Sequence, residues 1–179
     1  MTVRIEGGGP LAAPLDALKD YLRITADDED ALLADLIRAA TDVAERFIGQ
    51  LIIARAVDEM LDPSADWRAL AIRPVTSITG VTGVATDGTE SALGVDAYAI
   101  DIDGNGDGWL RVRDAGGATR VHVTYRAGLA ADAEGVPDSI RLGIVRLAGD
   151  HHALREGADA RPPASVAALW RPWRRMVLK

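Results

Sequence analysis

The sequence predicts an α+β protein: a helical body, an inserted antiparallel β lobe, and an extended C-terminal arm. Three observations predict it. Residues 31–48 repeat apolar side chains at helical spacing. Residues 50–127 change to short alternating stretches broken by Gly, Pro and Asp. From Arg161 onward there are five basic residues and no acidic ones. The whole chain carries −7, so its first 160 residues carry −12.

Residues 1–14 are punctuated by Gly and Pro and are predicted irregular. Leu15 to Ile24 places apolar residues at 15, 18 and 22, a short amphipathic helix. The run TADDED at 25–30 is a helix start: Asp27 is suited to cap, and the acids favour the positive end of the helix dipole. Leu32, Leu33, Leu36, Ile37, Ala40, Val43, Ala44, Phe47 and Ile48 then follow a helical period, and Gly49 is the C-terminal cap.

Strands are predicted within 51–61, 67–72, 75–84, 98–102, 109–113 and 119–126, with Asp87-Gly88 as a hairpin turn. Val75, Ser77, Thr79 and Val81 are expected on one face. Val121, Val123 and Tyr125 alternate with Arg120, His122 and Thr124. Pro137-Asp138-Ser139 opens a last long helix with Ile140, Ile144, Leu147, His151 and Leu154 as its apolar stripe. The expected organisation is an irregular 1–14, a domain at 15–156 (helical body 15–49 and 137–156, β lobe 50–127), and a linker with arm at 157–179. The two long helices should pack together, each having one apolar face to bury.

Composition narrows the function. The absence of cysteine excludes disulfides and thiolate metal sites. A pI near 4.9 argues against wrapping nucleic acid with the whole body. The opening residues contain no apolar signal core, and no stretch has the apolar length needed to span a bilayer.

Several motifs approach a chemistry. Residues 101–106, DIDGNG, match the first half of a calcium loop, with Asp101, Asp103 and Asn105 as oxygen ligands and Gly106 at the turn. The twelfth position, where a bidentate Glu belongs, is Val112. A Gly/Asp/Asn hairpin over 101–107 is the favoured reading, and calcium binding or another recognition role for that loop is the alternative. His151 and His152, with Glu156 nearby, lack H-E-x-x-H spacing, and adjacent residues point to different sides of a helix. His151 is expected in the core or at an interface and His152 at the surface. Gly7-Gly8-Gly9 precedes Pro10, and Gly104, Gly106 and Gly108 sit in a hairpin, so neither is a phosphate loop. With no G-x-S-x-G and no acid–base pair in view, a hydrolase is not supported. No catalytic residue and no cofactor is expected.

The C-terminal stretch 163–179 reads PASVAALWRPWRRMVLK. A short helix from Ser165 to Arg171 is predicted, limited by Pro172. Trp and Arg are enriched in interface hot spots. Burying each large apolar side chain contributes roughly 1.5–3 kcal/mol. The competing reading is a terminal helix packed on its own body.

Three stretches, in order, resemble the head–tail connector (adaptor) family of long-tailed phages, prophages and gene transfer agents. LDALKDYLRITADDEDALLADLIRAATDVAERFIGQ (15–50) is similar to that family's opening helix pair. VTYRAGLAADAEGVPDSIRLGIVRLAGDHHALRE (123–156) is similar to its strand, Val-Pro turn and closing helix. SVAALWRPWRR (165–175) resembles its terminal signature, with Trp170 and Trp173 where Leu and Tyr are more usual.

The resemblance implies a structural, non-enzymatic protein at the head–tail neck of a virion or phage-like particle, made in the bacterial cytoplasm. It implies a homo-oligomeric ring, commonly a dodecamer, under the portal protein. The other face would meet the next neck (stopper) or tail component. Double-stranded DNA would pass through the channel without specific binding, and no membrane is involved. Carried onto this sequence, the portal-docking residues are Val166, Leu169, Trp170, Pro172, Trp173, Arg174 and Arg175. An acidic body would repel phosphate and let DNA slide.

Overall fold

The computed structural model describes residues 1–154 and 161–175. Expectations for the end of the last long helix, most of the linker and the last four residues therefore lie outside the described residues. The chain forms two compact units: residues 1–8 with 54–128, and residues 9–53 with the chain from Leu129 onward. The α+β class with a β lobe inserted between helices holds.

The second unit is helical. It contains α1 (Leu15–Leu22), α2 (Asp30–Ile48), α3 (Asp138–Ala153) and α4 (Ala164–Trp170), with a 3-10 turn at Arg171–Trp173. Helix α2 packs on α3, as two helices with one apolar face each should. Its buried stripe is Leu33, Ile37, Ala40, Ala44 and Ile48, and Gly49 at φ 73° caps it by donating its N–H to the Glu45 carbonyl. Only a residue free of a Cβ penalty adopts that conformation cheaply.

The acids before α2 do not cap it. Glu29 occupies the cap position without a side-chain bond. Asp27 and Asp30 instead accept hydrogen bonds from Lys19 Nζ at 2.5 and 2.8 Å. Lys19 is buried at the end of α1, so its ammonium requires carboxylate partners, and that demand takes precedence over capping.

Leu51, Ile52 and Ile53 were expected to begin a strand. They are buried in the helical unit, where Leu129 and Ala130 donate backbone N–H groups to the Leu51 and Ile52 carbonyls.

The first unit is built from eight strands: β1 (Thr2–Ile5), β2 (Arg55–Leu61), β3 (Arg68–Ala69), β4 (Val75–Val84), β5 (Glu90–Ala92), β6 (Tyr98–Ile102), β7 (Gly108–Val112) and β8 (Arg120–Ala127). They form a five-stranded sheet, β1-β2-β8-β4-β5, and a three-stranded sheet, β3-β7-β6. All pairings between these strands are antiparallel. Strand β1 corrects the expectation of an irregular N-terminus. Val3 and Ile5 alternate with Thr2 and Arg4, a period-2 pattern too short to outweigh the glycines after it.

The alternation in β8 is as expected, with Val121, Val123 and Tyr125 buried. That in β4 is not. Register shifts between Val75 and Ser77 and between Ile78 and Gly80 leave Val75 and Val81 buried but turn Thr79 outward. Bulges of this kind break the period on which a one-face reading depends.

One buried polar cluster had no sequence signal. Glu59 is fully buried in β2. Its Oε2 accepts from the Tyr125 hydroxyl at 2.7 Å and from the Ala71 amide at 2.9 Å. The Ile72 amide donates to the Tyr125 oxygen. The cluster ties the 71–72 connection to β2 and β8, ahead of the cis Arg73–Pro74 bond. Burial and the neighbouring carboxylate push the Tyr125 phenol well above its ordinary value.

Candidate functional site

Helix α4 is not a free arm. Pro163 precedes it with an extended backbone, and seven residues follow in helix. Spacing of four puts Val166 and Trp170 on one face. Both are buried in the cluster formed with Leu33, Ile37, Ile140 and Ile144. Trp170 is fully buried, and its Nε1 donates to the Ile140 carbonyl at 3.2 Å. Its ring centroid is 5.9 Å from that of Phe47. A buried indole N–H needs such an acceptor, and the first turn of α3 supplies it.

The turn after α4 is fastened too. Trp173 Nε1 donates to Ser139 Oγ at 2.9 Å, and Gln50 Nε2 donates to the Trp173 carbonyl at 2.9 Å. The Arg175 amide donates to the Ile48 carbonyl at 3.1 Å, meeting an acceptor at the end of α2. These bonds explain why two tryptophans in a basic stretch fold inward. Each finds both an apolar wall and a polar partner on the helical unit.

The seven residues expected to dock therefore divide. Val166 and Trp170 attach the segment to its own unit. Leu169, Trp173 and Arg175 are half-buried, while Pro172 and Arg174 are exposed, as is Arg171 beside them. Arg174 stacks over the Phe47 ring with 5.8 Å to its centroid. What the segment offers outward is cationic, with proline and partial aromatic surface.

The loop 101–107 folds as a hairpin turn. Asp103 Oδ1 accepts from the Asn105 and Asp107 amides at 2.8 and 2.9 Å. Its other oxygen takes the Trp109 indole N–H at 3.4 Å. Gly106 adopts φ 76° and accepts at its carbonyl from Val75 N–H. Asp107 pairs with Arg73 at 3.0 Å. The calcium-like residue types thus serve the turn and its seating on the Arg73–Pro74 corner. Among the described residues no group of three or more His, Asp or Glu is placed to hold a metal ion. His152 Nε2 lies 3.2 Å from Glu29 Oε2, and both histidines are half-buried; Glu156 lies outside the described residues.

A further feature went unread in the sequence. Glu29, Leu32, Leu36, His151, His152 and Leu154 line a groove of about 360 Å³ in the helical unit. Leu32 and Leu154 are 52% and 55% exposed there. Both belong to the apolar repeats read from helical spacing.

The sequence pattern of the family described as Phage gp6-like head-tail connector protein matches residues 13–72, about a third of the chain. None of the curated proteins matches. Solved structures do. A chain in the neck of an empty GTA particle, computed with C6 symmetry, superposes with TM-score 0.81 at 24% identity, over 100% of this chain and 98% of that one. A chain in the virion of a native gene transfer agent (GTA) particle gives 0.78 at 25% identity with the same coverage. A chain in the neck of a native GTA particle, computed with C12 symmetry, gives 0.79 at 23% identity, again over 100% and 98%. The head–tail connector pattern thus covers α1, α2 and the chain on to residue 72, and the fold of the whole chain is like that of a chain in GTA particles.

Proposed function

We propose that this chain is a structural head–tail adaptor of a phage-like particle, with no catalytic role. It forms a ring of copies, commonly twelve, beneath the portal. It joins the capsid vertex to the next neck or tail component and leaves a channel for double-stranded DNA. The observation that carries this reading is likeness of fold over the full chain to a chain of a GTA particle neck. The C6 and C12 symmetry with which two such necks were computed supports the ring. A net charge of −7 supports passage of DNA without adhesion.

Docking to the portal is assigned to the outward side of the C-terminal segment. Arg171, Pro172 and Arg174 lead, flanked by Leu169, Trp173 and Arg175, while Val166 and Trp170 hold the segment in place. Such a surface suits an acidic groove with an apolar floor.

Deleting the coding sequence in the producing cell is expected to leave filled heads without tails, restored by the intact chain. Tailed particles in its absence would end the adaptor reading. Arg171→Glu with Arg174→Glu is expected to weaken binding to purified portal. Unchanged binding removes the docking assignment alone.

A further inference from the structure

We propose that the groove between the start of α2 and the end of α3 receives the basic end of the helical unit of a second copy. The contact runs head to tail around the ring, so the proposal rests on the ring reading above and names the surfaces that close it.

The groove is apolar by construction. Helix α2 buries Leu33, Ile37, Ala40, Ala44 and Ile48. Leu32 and Leu36, four residues apart and one position round the helix, form a second strip outside that stripe. The strip faces the groove with Leu154, and Leu32 and Leu154 each remain more than half exposed. A lone exposed leucine is ordinary, but leucines gathered in one groove mark an interaction surface. Residues 155–160, which follow Leu154, read REGADA and offer no large apolar side chain to fill it.

Charge selects the occupant. Three carboxylates mark the groove's rim: Glu29 lines it and meets His152, exposed Asp28, with no ion-pair partner among the described residues, lies beside it in sequence, and so does exposed Asp35, which pairs with Arg38 at 3.2 Å. The far end of α2 has the opposite character. Arg46 and Arg171 are exposed without an ion-pair partner among the described residues, and Arg174 lies over Phe47. Helix α2 has nineteen residues. At 1.5 Å per residue its ends are about 28 Å apart. The two surfaces of one copy therefore cannot meet each other. They can meet between copies, and a closed ring requires two different, complementary surfaces on every subunit.

The test uses the absence of cysteine from the chain. Full-length Leu32→Cys and Arg46→Cys variants are purified separately, mixed, and treated with a short bis-maleimide. The mixture is expected to give a cross-linked dimer in at least about tenfold greater yield than either variant alone. A chain carrying both cysteines should give a ladder of oligomers, suppressed by Asp28→Arg with Asp35→Arg. A mixture no better cross-linked than the single variants overturns the proposal, as does a ladder indifferent to those charges. Arg46 is not among the portal-docking residues, so the two readings separate. If the double-cysteine chain enters particle necks yet does not cross-link there, the proposal fails and the adaptor role stands. If the wild-type chain never enters particles, both fail.

Discussion

Trp170 lies directly against Gly143, with its indole N–H donated to the Ile140 carbonyl three residues earlier on α3. A β-carbon at position 143 would fall 2.7 Å from Trp170 Cε2, closer than packed atoms come. The glycine is what lets α4 sit down on α3. Gly149 serves α1 in the same way, against Tyr21.

Gly143→Ala sets two effects in opposition. Removing glycine from a helix interior gains about 1 kcal/mol of helix propensity. Displacing a fully buried indole costs about 1–3 kcal/mol of overpacking, and the lost bond to Ile140 adds to it. Net destabilisation of about 1–2 kcal/mol is expected in urea unfolding. An unchanged or raised midpoint would show that Trp170 is not held there.

Trp170→Ala removes the largest fully buried side chain of the helical unit. A loss of about 3–5 kcal/mol is expected by chemical denaturation. Loss of portal binding in that variant would therefore report unfolding. Arg171→Glu, at an exposed position, should leave the unfolding midpoint within about 0.5 kcal/mol of wild type.

Tyr125→Phe deprives Glu59 of one donor and the Ile72 amide of its acceptor. A cost of about 1–3 kcal/mol is expected at neutral pH. The pH dependence has a definite sign. The phenol is raised above 10.0 in the folded chain, so its contribution is complete below that pH and is lost as pH rises above it. Thermal melts between pH 9 and 11 should show wild type losing stability faster than the phenylalanine variant.

Lys19 holds Asp27 and Asp30. Its hydrogen bonds keep the Asp27 carboxyl below the ordinary 3.8, and those carboxylates raise the Lys19 ammonium above its ordinary range. The Asp27 contribution is present above pH 3.8 and fades as pH falls through the depressed value. Asp27→Asn should lower the melting temperature at pH 6, and the difference from wild type should close on acidification. A difference independent of pH would rule out the carboxylate as its source.

Asp103→Ala removes the acceptor of two turn amides. A cost of about 1–2 kcal/mol is expected, and millimolar calcium should leave the melting temperature of wild type unchanged. Stabilisation by calcium would restore the metal reading of loop 101–107.

Elements with a sustained period were legible before the structure. Helix α2, the stripe Ile140–Ile144–Leu147 and the alternation of β8 needed only spacing, because one face of each is buried along its length. Strand β1 was hidden because four residues beside glycines carry too little pattern to show, and β2, their partner, is fifty residues away. Thr79 was misplaced because bulges change phase without marking the sequence. Leu32 belongs to the apolar repeat yet is half exposed, because helical spacing identifies an apolar face, not whether the chain itself covers it.

The sequence by itself determined the class, the order of the helices, the hairpin character of 101–107 and the likeness to connectors, since each rests on local spacing or an ordered set of short motifs. Only the tertiary structure decided where the tryptophans of the C-terminal segment go. A basic aromatic stretch looks the same whether its partner is another chain or its own. The choice depended on a glycine at 143, a carbonyl at Ile140 and a serine hydroxyl at 139 standing where two indoles could reach them. These contacts join residues 27 to 34 positions apart, which no local period records.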